Sequence, residues 1–292
     1  MTGERTLRVG SRGTSFCRAQ TAAILNRLAE ANPEAKLEIV DVGEGADGEA
    51  IAEAVGSGVC DLHICGAREV PLELPDDVNL VGCTERRDPF DVLIAKEGAL
   101  LEDLDEGAVV GVTSARVAVQ IGTFRDDVKI EKTEGTVDQL LDRLNNGELV
   151  AFIVAAEEVE VLGWEHAVSE VFPSDILLPA AGQGSFAMLA RRSDEEAARL
   201  AATISHEVTR QVVAAERAFL RELGVRVIDP VAVHGAFETD TLVLEALLGD
   251  EISGAILRDD LDGSPEEEDA LGIRLAKLFV ADGARDYLAG YR

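Results

Sequence analysis

One strand–loop–helix unit occurs twice in this chain, and that repetition restricts it to an α/β fold with two comparable lobes. Leu7-Arg8-Val9-Gly10 reads as a strand, and Gly10-Ser11-Arg12-Gly13-Thr14-Ser15 as the loop after it. Ser15 to Ala31 then reads as a helix with Ile24, Leu25 and Leu28 on one face, stopped before Pro33. The unit returns as the strand Ala108-Val109-Val110-Gly111-Val112, the loop Gly111-Val112-Thr113-Ser114-Ala115-Arg116 and a helix from about Ser114. Leu37 to Val42, Leu62 to Cys65, Val92 to Ala95 and Val150 to Val154 supply further strands, so strands and helices alternate as in an α/β sheet. A helix is expected from Thr136, where Gln139 stands at capping-box spacing, to Asn146-Gly147.

Ser185 to Ala190 reads as a strand returning to the first sheet. Ser193 and Glu196 are expected to cap a helical stretch running towards Gly224. Beyond it come a strand at Thr241 to Leu247 and a late helix from Glu266 to Asp282, whose acidic start suits a helix N-terminus. The expected division is a first α/β lobe at 1–97 with 186–207, a second at 98–185, and a small α+β domain at 208–292.

The two matching loops share a physical logic. Each sets unpaired backbone N–H groups, hydroxyls (Thr14; Thr113 and Ser114) and one arginine (Arg12; Arg116) at a helix N-terminus, where a carboxylate or phosphate is attracted. The plainer alternative is that the hydroxyls only cap their helices.

The formal charge is −29, from 56 acidic and 27 basic side chains. Such a surface repels phosphate backbones and anionic membranes, so neither nucleic acid nor membrane is an expected partner. No apolar run approaches a membrane span, and the first residues lack a signal-peptide layout, so a cytoplasmic protein, monomeric or weakly homo-oligomeric, is expected. Cys17, Cys60, Cys65 and Cys83 form no CxxC pair, and the latter three sit in apolar runs that read as buried thiols. The four histidines show no metal-ligand spacing, so no metal is expected.

The ordered motifs resemble those of hydroxymethylbilane synthases (porphobilinogen deaminases). Leu7 to Arg12 with Gln20 resembles that family's opening, and Arg68-Glu69-Val70-Pro71 stands where it has Lys-Asp-Val-Pro. Glu85 to Asp91, Gly111 to Arg116, Leu178 to Gly184, Ala215-Glu216-Arg217-Ala218 and Asp282 to Arg285 follow in the family's order over nearly the whole chain. The resemblance implies two lobes like those of type II periplasmic binding proteins, with the active site in their central cleft. It also implies a small C-terminal domain whose cysteine carries a dipyrromethane primer. The implied reaction is an electrophilic aromatic substitution: a pyrrole loses ammonia to give an azafulvene cation, and a carboxylate stabilises it while a second pyrrole attacks.

The departures concern chemistry more than fold. Val227 stands at the cysteine position, and valine offers no nucleophile, so no dipyrromethane cofactor is expected. The catalytic carboxylate position holds Glu69, with Arg68 at the neighbouring lysine position. Val117, Glu134 and Leu140 stand where the family has arginines for the acetate and propionate groups of its pyrroles. Losing those charges makes binding of a polycarboxylate chain several kcal/mol less favourable where they are desolvated. The lid expected between Val42 and Cys60 is shortened to an acidic remnant, Gly43 to Gly48.

The resulting expectation is an enzyme with Glu69 as catalytic carboxylate. Arg12, Thr14, Arg68, Thr113, Ser114 and Arg116 would bind a small carboxylated heteroaromatic substrate. It would join an iminium or azafulvene-like cation to a pyrrole or indole, as in a Pictet–Spengler condensation of secondary metabolism. A conventional synthase and a non-catalytic small-anion binder are the alternatives. His63 and Cys65 read either as strand packing or as a floor beside Glu69.

Overall fold

In the computed structural model, which describes residues 5–43, 45–226 and 229–289, the chain forms two compact units, Met1–Arg87 with Ser185–Arg210, and Asp88–Gly184 with Gln211–Arg292. In chain order, β1 (Thr6–Ser11) leads to α1 (Ser15–Ala31), β2 (Lys36–Asp41), α2 (Gly48–Gly56), β3 (Leu62–Gly66) and β4 (Val78–Cys83). Next come β5 (Asp91–Ala95), β6 (Val109–Val112), α3 (Ala115–Phe124), β7 (Lys129–Lys132), α4 (Val137–Asn145), β8 (Ala151–Ala155), α5 (Ala156–Leu162) and β9 (Glu170–Val171). The chain continues with β10 (Phe186–Arg191), α6 (Glu195–Ala202), α7 (Glu207–Leu223), β11 (Val231–Glu238), β12 (Thr241–Gly249), β13 (Ile256–Gly263) and α8 (Glu268–Ala281).

The first unit holds a sheet of order β2-β1-β3-β10-β4. β1 runs parallel to β2 and β3, and β10 inserts antiparallel between β3 and β4. The second unit repeats the pattern as β7-β6-β8-β5-β9, with β6 parallel to β7 and β8 and the antiparallel place taken by β5. The repeated sequence unit has thus become a repeated topology. The central strands are buried on both faces, as their unbroken apolar runs require: every residue of β3, β5 and β8 is buried. A third, antiparallel sheet of order β11-β12-β13 also belongs to the second unit, with α8 beside β12 and β13.

Three expectations are corrected. Val92 to Ala95 lies in the second sheet, so the division falls at Arg87/Asp88 and not at 97. An apolar run does not reveal its partner; the pairing of Asp91 to Ala95 with Ala151 to Ala155 decides it. Second, the returning segment of the first unit runs Ser185–Arg210 and not 186–207, and α3 packs against β11 and β12 of the small antiparallel sheet. Gly249 makes that approach possible, since a Cβ there would stand 2.6 Å from the Val119 methyls. Third, the stretch from Ser193 towards Gly224 is two helices. Asp194, not Ser193, caps the first, accepting from the Ala197 N–H at 3.2 Å. The break at Ser205 and His206 ties back to β4: the Cys83 N–H donates to Ser205 Oγ at 3.2 Å, and the His206 N–H to the Cys83 carbonyl at 2.8 Å.

Local signals elsewhere act as read. The Thr136 N–H donates to Gln139 Oε1 at 2.9 Å in the expected capping box. All four cysteines are buried. Among the described residues, no helix is long and apolar enough to cross a membrane.

Candidate active site

Parallel strands that neighbour each other deliver their following loops to the same sheet edge, and in an order such as β2-β1-β3 the crevice opens where connections leave in opposite directions. Arg12 follows β1, and Glu69 ends a single helical turn, Ala67 to Glu69, that follows β3. The topology therefore brings together two side chains 57 positions apart. Arg12 Nη2 donates to Glu69 Oε1, while Glu69 Oε2 accepts from the Gly66 N–H at 3.1 Å. Arg12 Nη1 points to the Ala46 carbonyl at 3.4 Å. Both oxygens of the carboxylate are thus engaged, which fixes its orientation.

The pair is recessed yet reachable, with side chains 17% and 24% exposed for Arg12 and Glu69. Burial works against the Arg12 charge, but the charge and hydrogen bond of Glu69 outweigh it, and the guanidinium is held above its ordinary range. The segment before α2 closes in from one side. Asp47 caps that helix, accepting from the Ala50 N–H at 2.9 Å, and a Cβ on Gly48 would stand 2.4 Å from the Glu69 carbonyl. Only glycine lets this helix start so near the turn. The acidic remnant was legible in the sequence, but this contact was not.

Thr14 accepts from the Cys17 N–H at 3.2 Å and so caps α1. Arg68 is half-buried on the same turn as Glu69. His63 of β3 is fully buried, and neither ring nitrogen has a hydrogen-bond partner. Burial, and then the Arg12 charge, push its pKa down to about 4, so the ring is neutral. Cys65 is buried on the same strand, and burial pushes its thiol well up. Both residues pack within the strand layer.

The loop after β6 is built differently from its sequence counterpart. Ser114 caps α3, accepting from the Val117 N–H at 3.3 Å, and Thr113 is exposed. Arg116 corrects the expectation of a second substrate-facing guanidinium. It is turned inward, with Nη2 2.8 and 2.9 Å from the two oxygens of Asp91 and Nη1 2.7 Å from the Leu178 carbonyl. A buried carboxylate and a carbonyl satisfy this charge, so Arg116 holds the protein interior together. The role of Asp91 was not assigned from sequence; an aspartate inside an apolar strand was the available signal. Val117 and Leu140, at two expected arginine positions, are core residues, whereas Glu134 is exposed.

Two further family motifs also prove architectural. Buried Glu216 accepts the Gly182 N–H at 2.7 Å and the Gly235 N–H at 2.8 Å, and buried Glu157 accepts the Gly184 N–H at 2.7 Å. Together they clamp the loop Leu178 to Gly184. Val227 lies outside the described residues. Among the described residues, no group of three or more His, Cys, Asp or Glu side chains could hold a metal ion.

These features define an α/β protein with an oriented carboxylate–guanidinium pair at a sheet switch point. The family profile for porphobilinogen deaminase, dipyromethane cofactor binding domain, matches residues 42–199. The porphobilinogen deaminase of Roseiflexus sp. is 33% identical over 303 residues, covering 98% of this chain and all (100%) of that protein. That of Thermus thermophilus is 33% identical over 300 residues, covering 99% and 100%, and that of Bacillus pumilus 32% over 303 residues, covering 97% and 96%. Solved structures overlay loosely; the periplasmic VFT2 domain of Bordetella pertussis BvgS gives a TM-score of 0.45 at 15% identity over 70% of this chain and 88% of that one. The chain belongs to the porphobilinogen deaminase family, a family of transferases of tetrapyrrole synthesis.

Proposed function

We propose that this protein joins aminomethylpyrroles of the porphobilinogen class with release of ammonia, using Glu69 as the carboxylate that faces the cationic intermediate, and that it does so without a covalently tethered primer. The carrying observation is the geometry at the carboxyl ends of β1 and β3, where Glu69 is held by Arg12 and the Gly66 N–H. Full-length similarity to porphobilinogen deaminases supports the reaction class.

The donor set does not fit a thioether-bound dipyrromethane. Valine stands at position 227. The four thiols are buried, and burial raises Cys17 and Cys60, the latter to about 11, so the reactive thiolate is disfavoured.

In the reaction, the pyrrole nitrogen's electron pair expels ammonia from the aminomethyl carbon. A second pyrrole's α-carbon then bonds that methylene and loses its proton. A negative charge already oriented beside the ring stabilises the cation without reorganisation and can accept that proton. Arg12 holds the carboxylate in place and offers charge to a substrate carboxylate.

The test is incubation with porphobilinogen, following ammonia and linear pyrrole products by mass spectrometry, alongside the intact mass. The expected result is turnover by protein of unmodified mass, lost on Glu69→Gln with the fold intact. A covalent two-ring adduct, or full activity of the Glu69→Gln protein, defeats the proposal.

A second reading has its own support. Arg116 is committed to Asp91, and Val117 and Leu140 are core residues, so the positions that would grip a polycarboxylate chain carry no available guanidinium. This favours a substrate with few carboxylates and a Pictet–Spengler-type condensation of an indole amine with an aldehyde. Turnover of such a pair, with none of porphobilinogen, selects this reading.

A further inference from the structure

The segment at the start of α2 touches both members of the Arg12–Glu69 pair. Arg12 Nη1 donates to the Ala46 carbonyl at 3.4 Å. Two residues on, a Cβ on Gly48 would stand 2.4 Å from the Glu69 carbonyl and 3.1 Å from the Pro71 ring. Gly48 lies outside the left-handed region, so its backbone conformation does not call for glycine; the close approach does.

Neither side of that contact gives way freely. α2 is held by Ile51, Ala52 and Val55, which are buried, and its start by Asp47, which accepts from the Ala50 N–H at 2.9 Å. The turn Ala67 to Glu69 is held by the fully buried strand β3 and by the Ala67 N–H, which donates to the Ser185 carbonyl at 2.8 Å. A Cβ cannot rest 2.4 Å from a carbonyl oxygen, so any side chain at position 48 must displace one of the two elements. If the helix start moves, the Ala46 carbonyl leaves Arg12. If the turn moves, the Glu69 carboxylate shifts against the guanidinium. Both routes loosen the same pair.

We propose that Gly48 is a positioning residue: its missing side chain lets the start of α2 act as a stop that sets the Glu69 carboxylate against Arg12. Gly48 acts through the backbone of Glu69 and needs no contact with substrate. Its consequence for catalysis rests on the reading of Glu69 as the reacting carboxylate, whereas its consequence for the pair does not.

The first measurement therefore uses no substrate. Urea unfolding of Arg12→Met, Glu69→Gln and the double variant gives the coupling within the pair, expected to be about threefold or more in the unfolding constant. In a Gly48→Ala background that coupling should all but vanish. Gly122→Ala is the control, a helix glycine whose Cβ would meet nothing within 4 Å, and should leave the coupling unchanged. Asp47→Ala adds no atom beside Glu69 but removes the cap of α2, so it should also lower the coupling, and it serves where Gly48→Ala does not fold.

The second measurement is turnover of porphobilinogen. Gly48→Ala should lower kcat about tenfold or more while KM stays within about threefold. In a Glu69→Gln background the same substitution should cost less than about twofold, because the group it positions is gone. Undiminished coupling between Arg12 and Glu69 in both Gly48→Ala and Asp47→Ala, or a kcat loss of the same size with and without Glu69, would overturn the proposal. Loss of coupling in a protein that never turns over porphobilinogen upholds Gly48 as the residue that positions the pair and defeats the reaction assigned to Glu69 instead.

Discussion

Arg116 and Asp91 form a two-oxygen contact at 2.8 and 2.9 Å, with side chains 5% and 2% exposed. Asp91 opens β5 and Arg116 sits in the first turn of α3, so the pair ties a strand of the second sheet to the helix beside it. Leu178 adds its carbonyl to the guanidinium, which draws in the loop held from its other end by Glu157 and Glu216.

Removing one partner of this pair leaves the other charge buried. Arg116→Met and Asp91→Leu are each expected to lower unfolding free energy by about 3–5 kcal/mol. The double variant should recover much of that loss, because two apolar side chains leave no orphan charge. Urea unfolding of the three variants checks this. A change in substrate affinity with unchanged stability in Arg116→Met would instead assign the arginine to binding.

Glu69 makes a different prediction, since the carboxylate and not its reach is what the proposed reaction needs. Glu69→Gln keeps the side-chain shape and removes the charge, and should lower kcat by about 100-fold or more. Glu69→Asp shortens the arm by one methylene but keeps the charge, and should retain activity within about tenfold of the starting protein. Steady-state rates for both variants decide it, with circular dichroism to verify the fold. Equal losses in the two would point to a packing role.

Asp61 is an electrostatic hub. Its buried carboxylate lies 2.8 Å from both Arg5 Nη2 and Arg191 Nη2, and 3.0 Å from Arg8 Nη2. Burial alone would raise its pKa, but the hydrogen bonds from Arg8, Arg191 and Arg5 hold it well below the usual carboxylate range. A depressed carboxylate contributes stability that is present above its unfolded pKa near 3.9 and is lost as pH falls below that. Asp61→Asn should therefore weaken the protein at neutral pH and flatten the fall in stability below about pH 4. Denaturant midpoints from pH 7 to 2.5 are the measurement.

The contrast between Arg12 and Arg116 shows what sequence could and could not disclose. Both arginines follow a strand and start a helix, and nothing within either loop distinguishes them. Their roles diverge because Glu69 lies on the turn after a neighbouring strand, whereas Asp91 lies inside a strand whose sheet the sequence did not reveal. Capping at Thr136 was legible, and at Thr14 it was the alternative weighed against substrate binding, because in both the interacting atoms are three residues apart. The placement of β5 was not, because strand pairing is a long-range choice among similar apolar runs. The motif singles out Glu69, but its contacts with Gly66 and the nearby start of α2 depend on backbone geometry alone.

His63 supplies a pH test of the buried strand β3. Its ring stays neutral in the folded protein down to about pH 4, while an unfolded histidine takes a proton near 6.5. Between those values the unfolded state binds the additional proton. The contribution is complete above pH 6.5 and is lost as pH falls towards 4, with a slope of up to about 1.4 kcal/mol per pH unit. His63→Leu should flatten that slope between pH 6.5 and 5, above the range where Asp61 acts. The same ring explains Gly10, where a Cβ would stand 2.6 Å from His63 Nδ1 and 2.9 Å from Cys60 Sγ. Gly10→Ala should cost about 1–3 kcal/mol by overpacking. Combining it with His63→Ala should restore part of the loss, since the added methyl then has room. A double-variant cycle by denaturant unfolding measures the coupling, and strict additivity would show that the two positions do not compete for that space.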